Sequence, residues 1–181
     1  MIPEIGRSAP PILGLDVGGV LVARAAGGAD TSFFGSRPMG TPATAGAADA
    51  VRELVGIFGS RVHIVSKAGP RIEALSRAWL ARNGFVGEAL VAPDHLHFVT
   101  TRSDKGPVCA ALGVTHFVDD RLDVLEHLTT VPHRLLFTGG LGDQSPPARV
   151  PETVQTVATW TATVALLRDL VGKSAPPADL D

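Results

Sequence analysis

A chain of 181 residues with 45% hydrophobic content has enough apolar material for one core, and its net charge of −2 excludes a general attraction to polyanions. No basic run occurs that would favour nucleic acid or an anionic membrane. The single cysteine, Cys109, excludes an internal disulfide and a cysteine-based zinc site.

The opening MIPEIGRSAPP lacks the charged start and unbroken apolar run of a signal peptide, and no later apolar stretch is long enough to span a bilayer. A cytoplasmic, reducing setting is expected. Pro11 to Val22, PILGLDVGGVLV, is a short apolar run interrupted by Asp16 and two glycines. A run apolar at every position reads as a buried parallel strand, and ligands of open α/β sheets gather at the carboxyl ends of such strands. Asp16 therefore stands where chemistry is expected, although taken alone an Asp before glycines is ordinary turn chemistry. Gly18 and Gly19 allow a sharp turn, and their amides are expected to face an anion.

Ala23 to Gly46 is rich in Gly, Ala and Pro with almost no periodic apolar pattern, and reads as a functional loop or flap or as a disordered connection. Its Phe33 and Phe34 either fold back onto the core or line a substrate mouth. The spacing of Val51, Leu54, Val55 and Phe58 predicts a helix over Ala47–Phe58, stopped by Gly59. Arg61–Ser66 reads as a strand, and Pro70–Asn83 as a helix with Ile72, Leu75, Trp79 and Leu80 on one face and Gly84 past its end. Another strand is expected within Ala89–Thr100. Ser103 and Asp104 are expected to cap a helix over Lys105–Leu112, on which Cys109 reads as a small buried residue.

His116–Val118 reads as a strand that runs straight into Asp119 and Asp120. A helix over Arg121–Leu128 and strands over Arg134–Phe137 and Val154–Ala158 follow. Thr161 is expected to cap a last helix to Leu170, and Lys173–Asp181 to form a disordered tail. The loop TGGLGD lacks the third glycine and the helix of a dinucleotide site. Strands alternating with helices predict an α/β fold, a doubly wound parallel sheet in three layers, as one domain over residues 1–172.

Asp16, Ser66, Lys105 and the Asp119–Asp120 pair stand at strand ends or at a helix start, which a parallel sheet gathers on one edge. Clustered carboxylates repel one another and call for a hard cation such as Mg²⁺. Ser66 suits donation to a phosphate oxygen and Lys105 the neutralisation of its charge. A lysine in a first helical turn opposes the macrodipole, at a cost of about 0.3–1 kcal/mol when exposed, and so calls for an anionic partner. Asp119 or Asp120 also reads as a cap for the helix that follows.

In this order LGLDVGGVLV, HIVS, Lys105 and FVDD resemble the four motifs of the haloacid dehalogenase superfamily of phosphohydrolases, from Ile12 to about Leu170. The resemblance implies a Rossmann-like sheet with the first strand central. It implies Asp16 as the nucleophile, forming an aspartyl-phosphate, and Mg²⁺ held by Asp16, Asp119, Asp120 and the Gly18 backbone carbonyl. Ser66 and Lys105 would bind the transferred phosphoryl group, beside the Gly18 and Gly19 amides.

The family's acid/base Asp, two residues after the nucleophile, is replaced here by Gly18, which forgoes acid–base catalysis worth roughly 10²–10⁴-fold. Asp30, His95 and His97 are the candidate replacements. Neither inter-motif gap has room for a full cap domain, which implies an open site under the 23–46 flap, suited to macromolecular phosphoesters or to small substrates completed by a second subunit. The stretches IVSKAGPRIEALSRAWL and THFVDDRLDVL look like the small nucleotidase branch, with Lys67, Arg71, Arg102 and Arg121 as further phosphate contacts. The expectation is a Mg²⁺-dependent phosphohydrolase or phosphotransferase. The competing expectation is a catalytically silent relative that binds a phosphorylated ligand or a protein partner.

Overall fold

The computed structural model describes residues 9–24, 38–142 and 144–174. In chain order these form β1 (Leu13–Leu15), α1 (Ala47–Phe58), β2 (Val62–Lys67), α2 (Pro70–Arg82), β3 (Leu96–Val99), α3 (Lys105–Leu112), β4 (His116–Asp119), α4 (Leu122–His127), β5 (His133–Phe137), β6 (Val154–Val157) and α5 (Trp160–Ser174). The six strands are all parallel, in the order β3-β2-β1-β4-β5-β6. The chain winds outward from β1 to β3 and then returns to the other side of β1. That reversal opens a crevice at the carboxyl ends of β1 and β4, where ligands of such sheets bind.

Successive strand residues face opposite sides of the sheet, and two cores result. Leu13, Leu15, Ile64, Leu135 and Phe137 pack with Val51, Leu54 and Phe58 of α1, Trp79 and Leu80 of α2, and Trp160, Val164 and Leu167 of α5. Val65, Phe117 and Leu136 face the other way and pack with Cys109 of α3 and Leu125 of α4. The outcome is the three-layer α/β architecture expected from the alternation, with β1 central. Gly14 has a reason to interrupt so apolar a strand. A Cβ there would lie 2.4 Å from the Phe117 ring on neighbouring β4, so the glycine makes room for the aromatic.

The elements depart from the sequence reading in details that bear on the site. β2 and β4 each run one residue further than expected, so Lys67 and Asp119 lie within strands, while Ser66 stays within β2 as expected. The expected strand within 89–100 is four residues long and follows a 3-10 turn at Pro93–His95. Asp104 precedes α3, but its carboxylate accepts the Thr101 amide (3.0 Å) instead of capping the helix. The last helix is opened by Thr159, whose hydroxyl accepts the Ala162 amide (3.1 Å), and not by Thr161. It continues through Lys173 and Ser174, which are helical where a tail was expected; residues 175–181 lie outside the described residues.

Asp30, Phe33 and Phe34 also lie outside the described residues. The two described arms of that loop meet at their base, where Val22 and Ala43 form an antiparallel bridge and the Ala23 amide donates to the Pro42 carbonyl (3.0 Å). Beneath them the Trp160 indole donates to the Thr44 hydroxyl (2.9 Å) and lies 3.3 Å from the Val20 carbonyl, which the Thr44 hydroxyl also reaches. The Trp79 indole holds the Thr41 carbonyl (2.8 Å). No helix among the described residues is long and apolar enough to cross a membrane.

His116, at the start of β4, is buried against Phe58 and stacked on His133. The Thr115 hydroxyl gives its proton to the Ile12 carbonyl, so at its 2.8 Å contact with His116 the imidazole Nδ1 donates. Nε2 then carries a bare lone pair and has no partner. Burial, reinforced by His133, pushes the His116 pKa down from 6.5 to about 4. Between those values the unfolded chain binds more protons, so this contribution to stability is complete above pH 6.5 and is lost as the pH falls toward 4. The loss amounts to roughly 3 kcal/mol over that window. Urea unfolding at pH 7 and pH 4.5 is expected to show a smaller acid destabilisation in His116→Phe than in the unsubstituted chain; equal acid sensitivity would refute this assignment.

Candidate active site

Asp16 directly follows β1, and its amide donates to the Val118 carbonyl of β4 (3.0 Å), which holds the residue over the crevice. The chain then turns on itself: the Leu21 and Val22 amides both donate to the Val17 carbonyl (2.9 Å each), and the Gly19 amide donates to the Val22 carbonyl (2.8 Å). Of the two amides expected to face an anion, that of Gly19 is therefore engaged within the turn. The parallel bridge that these bonds make between Gly18 and Val22 leaves the Gly18 carbonyl outside it. Gly19 has φ +69°, and a Cβ there would fall 2.0 Å from Asp120 Oδ2, so only glycine fits. The TGGLGD loop closes on the same turn, since a Cβ at Gly140 would lie 1.9 Å from the Gly19 carbonyl oxygen.

Lys105 is the first residue of α3 and is 2% exposed. Its Nζ lies 2.8 Å from Asp16 Oδ1 and 2.8 Å from Asp119 Oδ2, and 5.6 Å from the centre of the Phe117 ring. Burial opposes the ammonium charge, but Asp119 and Asp16 outweigh it and hold the lysine protonated well above its ordinary range. The helix start brings this cation into the sheet, and the anionic partners that its unfavourable position called for are the two aspartates. Asp119 Oδ1 accepts the Arg121 amide (3.0 Å), so both of its oxygens face donors and the group is a carboxylate. Neither aspartate is the residue that precedes α4, a place taken by Arg121.

Asp120 pairs with Arg24, whose Nε donates to Oδ2 at 3.0 Å and whose Nη2 reaches the same oxygen. Arg24 Nη1 is held in turn by Gln144 Oε1 (2.6 Å). Burial and the crowding of Asp16 push the Asp120 carboxyl above the usual carboxylate range, against the pull of Arg24. Burial has the same effect on Asp119, where Lys105 opposes it and the two neighbouring carboxylates add to it.

Asp16, Asp119 and Asp120 each offer an oxygen within 4.8 Å of the others. Among the described residues three carboxylates face two cations, which leaves one unit of negative charge in a buried pocket. Asp16 Oδ1, moreover, has an ion-pair neighbour but no aligned hydrogen-bond donor. An all-oxygen donor set with residual negative charge fits a hard divalent cation such as Mg²⁺. Asp16, Asp119 and Asp120 would hold it, with Arg24 as a resident competitor for Asp120.

Ser66 is buried near the carboxyl end of β2 but is not bonded to this cluster. Lys67 and Arg71 are exposed, and Arg121 spends its guanidinium on Asp123 (2.9 and 3.1 Å). Arg102 acts electrostatically on that same aspartate. His95 and His97 engage His63 at the start of β2 and make no contact with Asp16. Burial and the two neighbouring histidines push the His63 pKa down to about 4. Arg24 was missed by the sequence reading. Its one signal is to be a lone cation directly after the apolar turn, in a segment otherwise almost without charge.

No protein-family model and no curated protein matches the chain. Solved structures do. A haloacid dehalogenase-like family hydrolase from Xanthomonas campestris superposes with a TM-score of 0.58 at 12% identity, covering 91% of this chain and 97% of its own. A structure from Burkholderia xenovorans LB400, assigned to the haloacid dehalogenase-like hydrolases, gives 0.46 at 18% identity over 75% of this chain and 61% of its own. The fold of this chain is therefore that of the haloacid dehalogenase-like hydrolases.

Proposed function

We propose that this chain is a Mg²⁺-dependent hydrolase of phosphoryl groups that acts through Asp16. The observation that carries the reading is the state of Asp16: a buried carboxylate beyond the end of the central strand, its Oδ1 beside the Lys105 ammonium and free of any aligned donor. An oxygen so placed is oriented and still nucleophilic. It attacks phosphorus while the bond to the leaving oxygen breaks and its electron pair departs with that oxygen. Water then attacks the aspartyl-phosphate, releasing inorganic phosphate and restoring the carboxylate. Lys105 offers positive charge to the phosphoryl oxygens throughout. Mg²⁺, when bound, supplies further neutralisation of the charge on the transferred group.

Gly18 provides no proton to the leaving oxygen, so water must supply it or the leaving group must depart as a stable anion. This favours activated esters. Ser66 is placed in this reading to meet a phosphoryl oxygen, and nucleotides or phosphorylated macromolecules are the substrate classes it carries, in a cytoplasmic setting. A second reading, a phosphate-binding protein without turnover, is favoured by one observation: Arg24 neutralises Asp120, and Gly18 stands where the acid would be.

Release of phosphate from an aryl phosphate is expected to require Mg²⁺ and to vanish in Asp16→Asn with the far-UV spectrum unchanged. Undiminished turnover in that variant would overturn the mechanism, and no turnover in a folded protein that binds phosphate would favour the second reading. Gly18→Asp is expected to raise turnover of unactivated alkyl phosphates, by up to roughly 10²–10⁴-fold. Lys105→Met removes the cation between two buried carboxylates and is expected to cost about 3–5 kcal/mol in urea unfolding, part of it restored by Mg²⁺.

A further inference from the structure

We propose that Arg24 and a divalent cation exclude one another at Asp120, so that Arg24 sets the metal affinity of the site and turns out of it when the metal binds. The inference rests on the reading of Asp16, Asp119 and Asp120 as a cation site. The pairing it invokes is closely fitted. Arg24 Nε donates to Asp120 Oδ2 at 3.0 Å and Nη2 reaches the same oxygen, so two charge-assisted bonds occupy one carboxylate oxygen. Nη1 donates to Gln144 Oε1 at 2.6 Å, which fixes the plane of the guanidinium. Gly19 provides the room, since a Cβ there would lie 2.0 Å from Asp120 Oδ2 and 3.1 Å from Arg24 Nε. The turn after Asp16, the residue after β4 and the loop that carries Gln144 thus meet at one ion pair.

Of the two cations, Arg24 is the exchangeable one. The Lys105 side chain is 2% exposed and its ammonium lies between two aspartates. The Arg24 side chain is 17% exposed, and Gln144, which holds its far end, is exposed. The guanidinium therefore has a path to solvent that the ammonium lacks.

Asp120 cannot serve both partners at once. Mg²⁺ requires oxygens in near-octahedral order at about 2.0–2.1 Å. An oxygen that already accepts two N–H groups has no lone pair left to direct at a metal. The other oxygen shares the same single charge, drawn toward the guanidinium, and a dication bound there would face a fixed positive group in a buried, weakly screened place. Charge balance gives the same answer. With a dication in place of Arg24, Lys105 and the metal balance the three carboxylates of the described site. With both present, and before any anionic substrate arrives, the pocket would carry an excess positive charge. The exclusion is reciprocal: by whatever factor Arg24 weakens the metal, the metal weakens the hold of Asp120 on Arg24.

The test is calorimetric titration of the full chain with Mg²⁺, without substrate, beside Arg24→Met and Gln144→Leu. Arg24→Met is expected to bind Mg²⁺ about 5–150-fold more tightly, the usual span of coupling between two ligands of one protein. Gln144→Leu keeps the net charge and frees only the far end of the guanidinium, so a smaller gain is expected. Unchanged or weaker binding in Arg24→Met overturns the proposal. So does a gain confined to that variant, which the loss of one positive charge would explain by itself. Arginine side-chain NMR of the unsubstituted protein gives the second readout, and decides if a variant fails to fold. Saturating Mg²⁺ must move the Arg24 Nε–H resonance to the position of solvent-exposed arginines, and an unmoved resonance on a metal-loaded chain overturns the exchange. Equal binding by all three chains removes the exchange alone, whereas binding by none removes the cation site and the exchange together.

Discussion

A single ammonium, that of Lys105, sits between Asp16 and Asp119 and makes the rest of the arrangement tenable. Two carboxylates brought this close in a dry environment would repel each other by several kcal/mol without a cation between them. The cation does not come from the strands that carry the aspartates. It comes from the first residue of α3, on the far side of a crossover, and the strands carrying the aspartates are adjacent because the chain reverses its winding there. Sheet topology and charge balance are thus two descriptions of one requirement. A third carboxylate, Asp120, goes beyond what Lys105 can neutralise, and Arg24 meets part of that excess from the opposite side.

The turn after Asp16 is constrained by contacts as much as by charge. Gly19 lies under the Asp120 carboxyl, and Gly140 lies under the Gly19 backbone, so three segments distant in sequence meet closely where the glycines present no side chain. Such contacts add to the hydrogen bonds within the nucleophile turn in fixing its path. They also explain why this part of the chain is glycine-rich on both sides of the contact.

Much of this was legible in the sequence, and for physical reasons. The helix over Ala47–Phe58 begins and ends where periodicity and a glycine stop put it, that over Lys105–Leu112 has the expected bounds, and the carboxylates after two apolar runs reach one sheet edge because parallel strands leave them no other. What escaped were contacts that leave no local pattern. Arg24 meets Asp120 across 96 residues, and nothing around it in the chain marks that pairing. Thr159 and not Thr161 opens α5, since either hydroxyl satisfies the local rule and only packing of Trp160 decides between them. His95 and His97 drew notice as possible acids, but their partner was a third histidine on β2, which only the register of an edge strand reveals.

The indole of Trp160 belongs to the helix that closes the fold, yet its nitrogen holds Thr44 and reaches the Val20 carbonyl, four residues past Asp16. The nucleophile turn is thus propped from beneath by an element some 140 residues later in the chain. During synthesis the carboxylate cluster gains this support only once α5 has been made. An incomplete chain, lacking α5, would carry every charged group of the site and still lack the floor on which they are set.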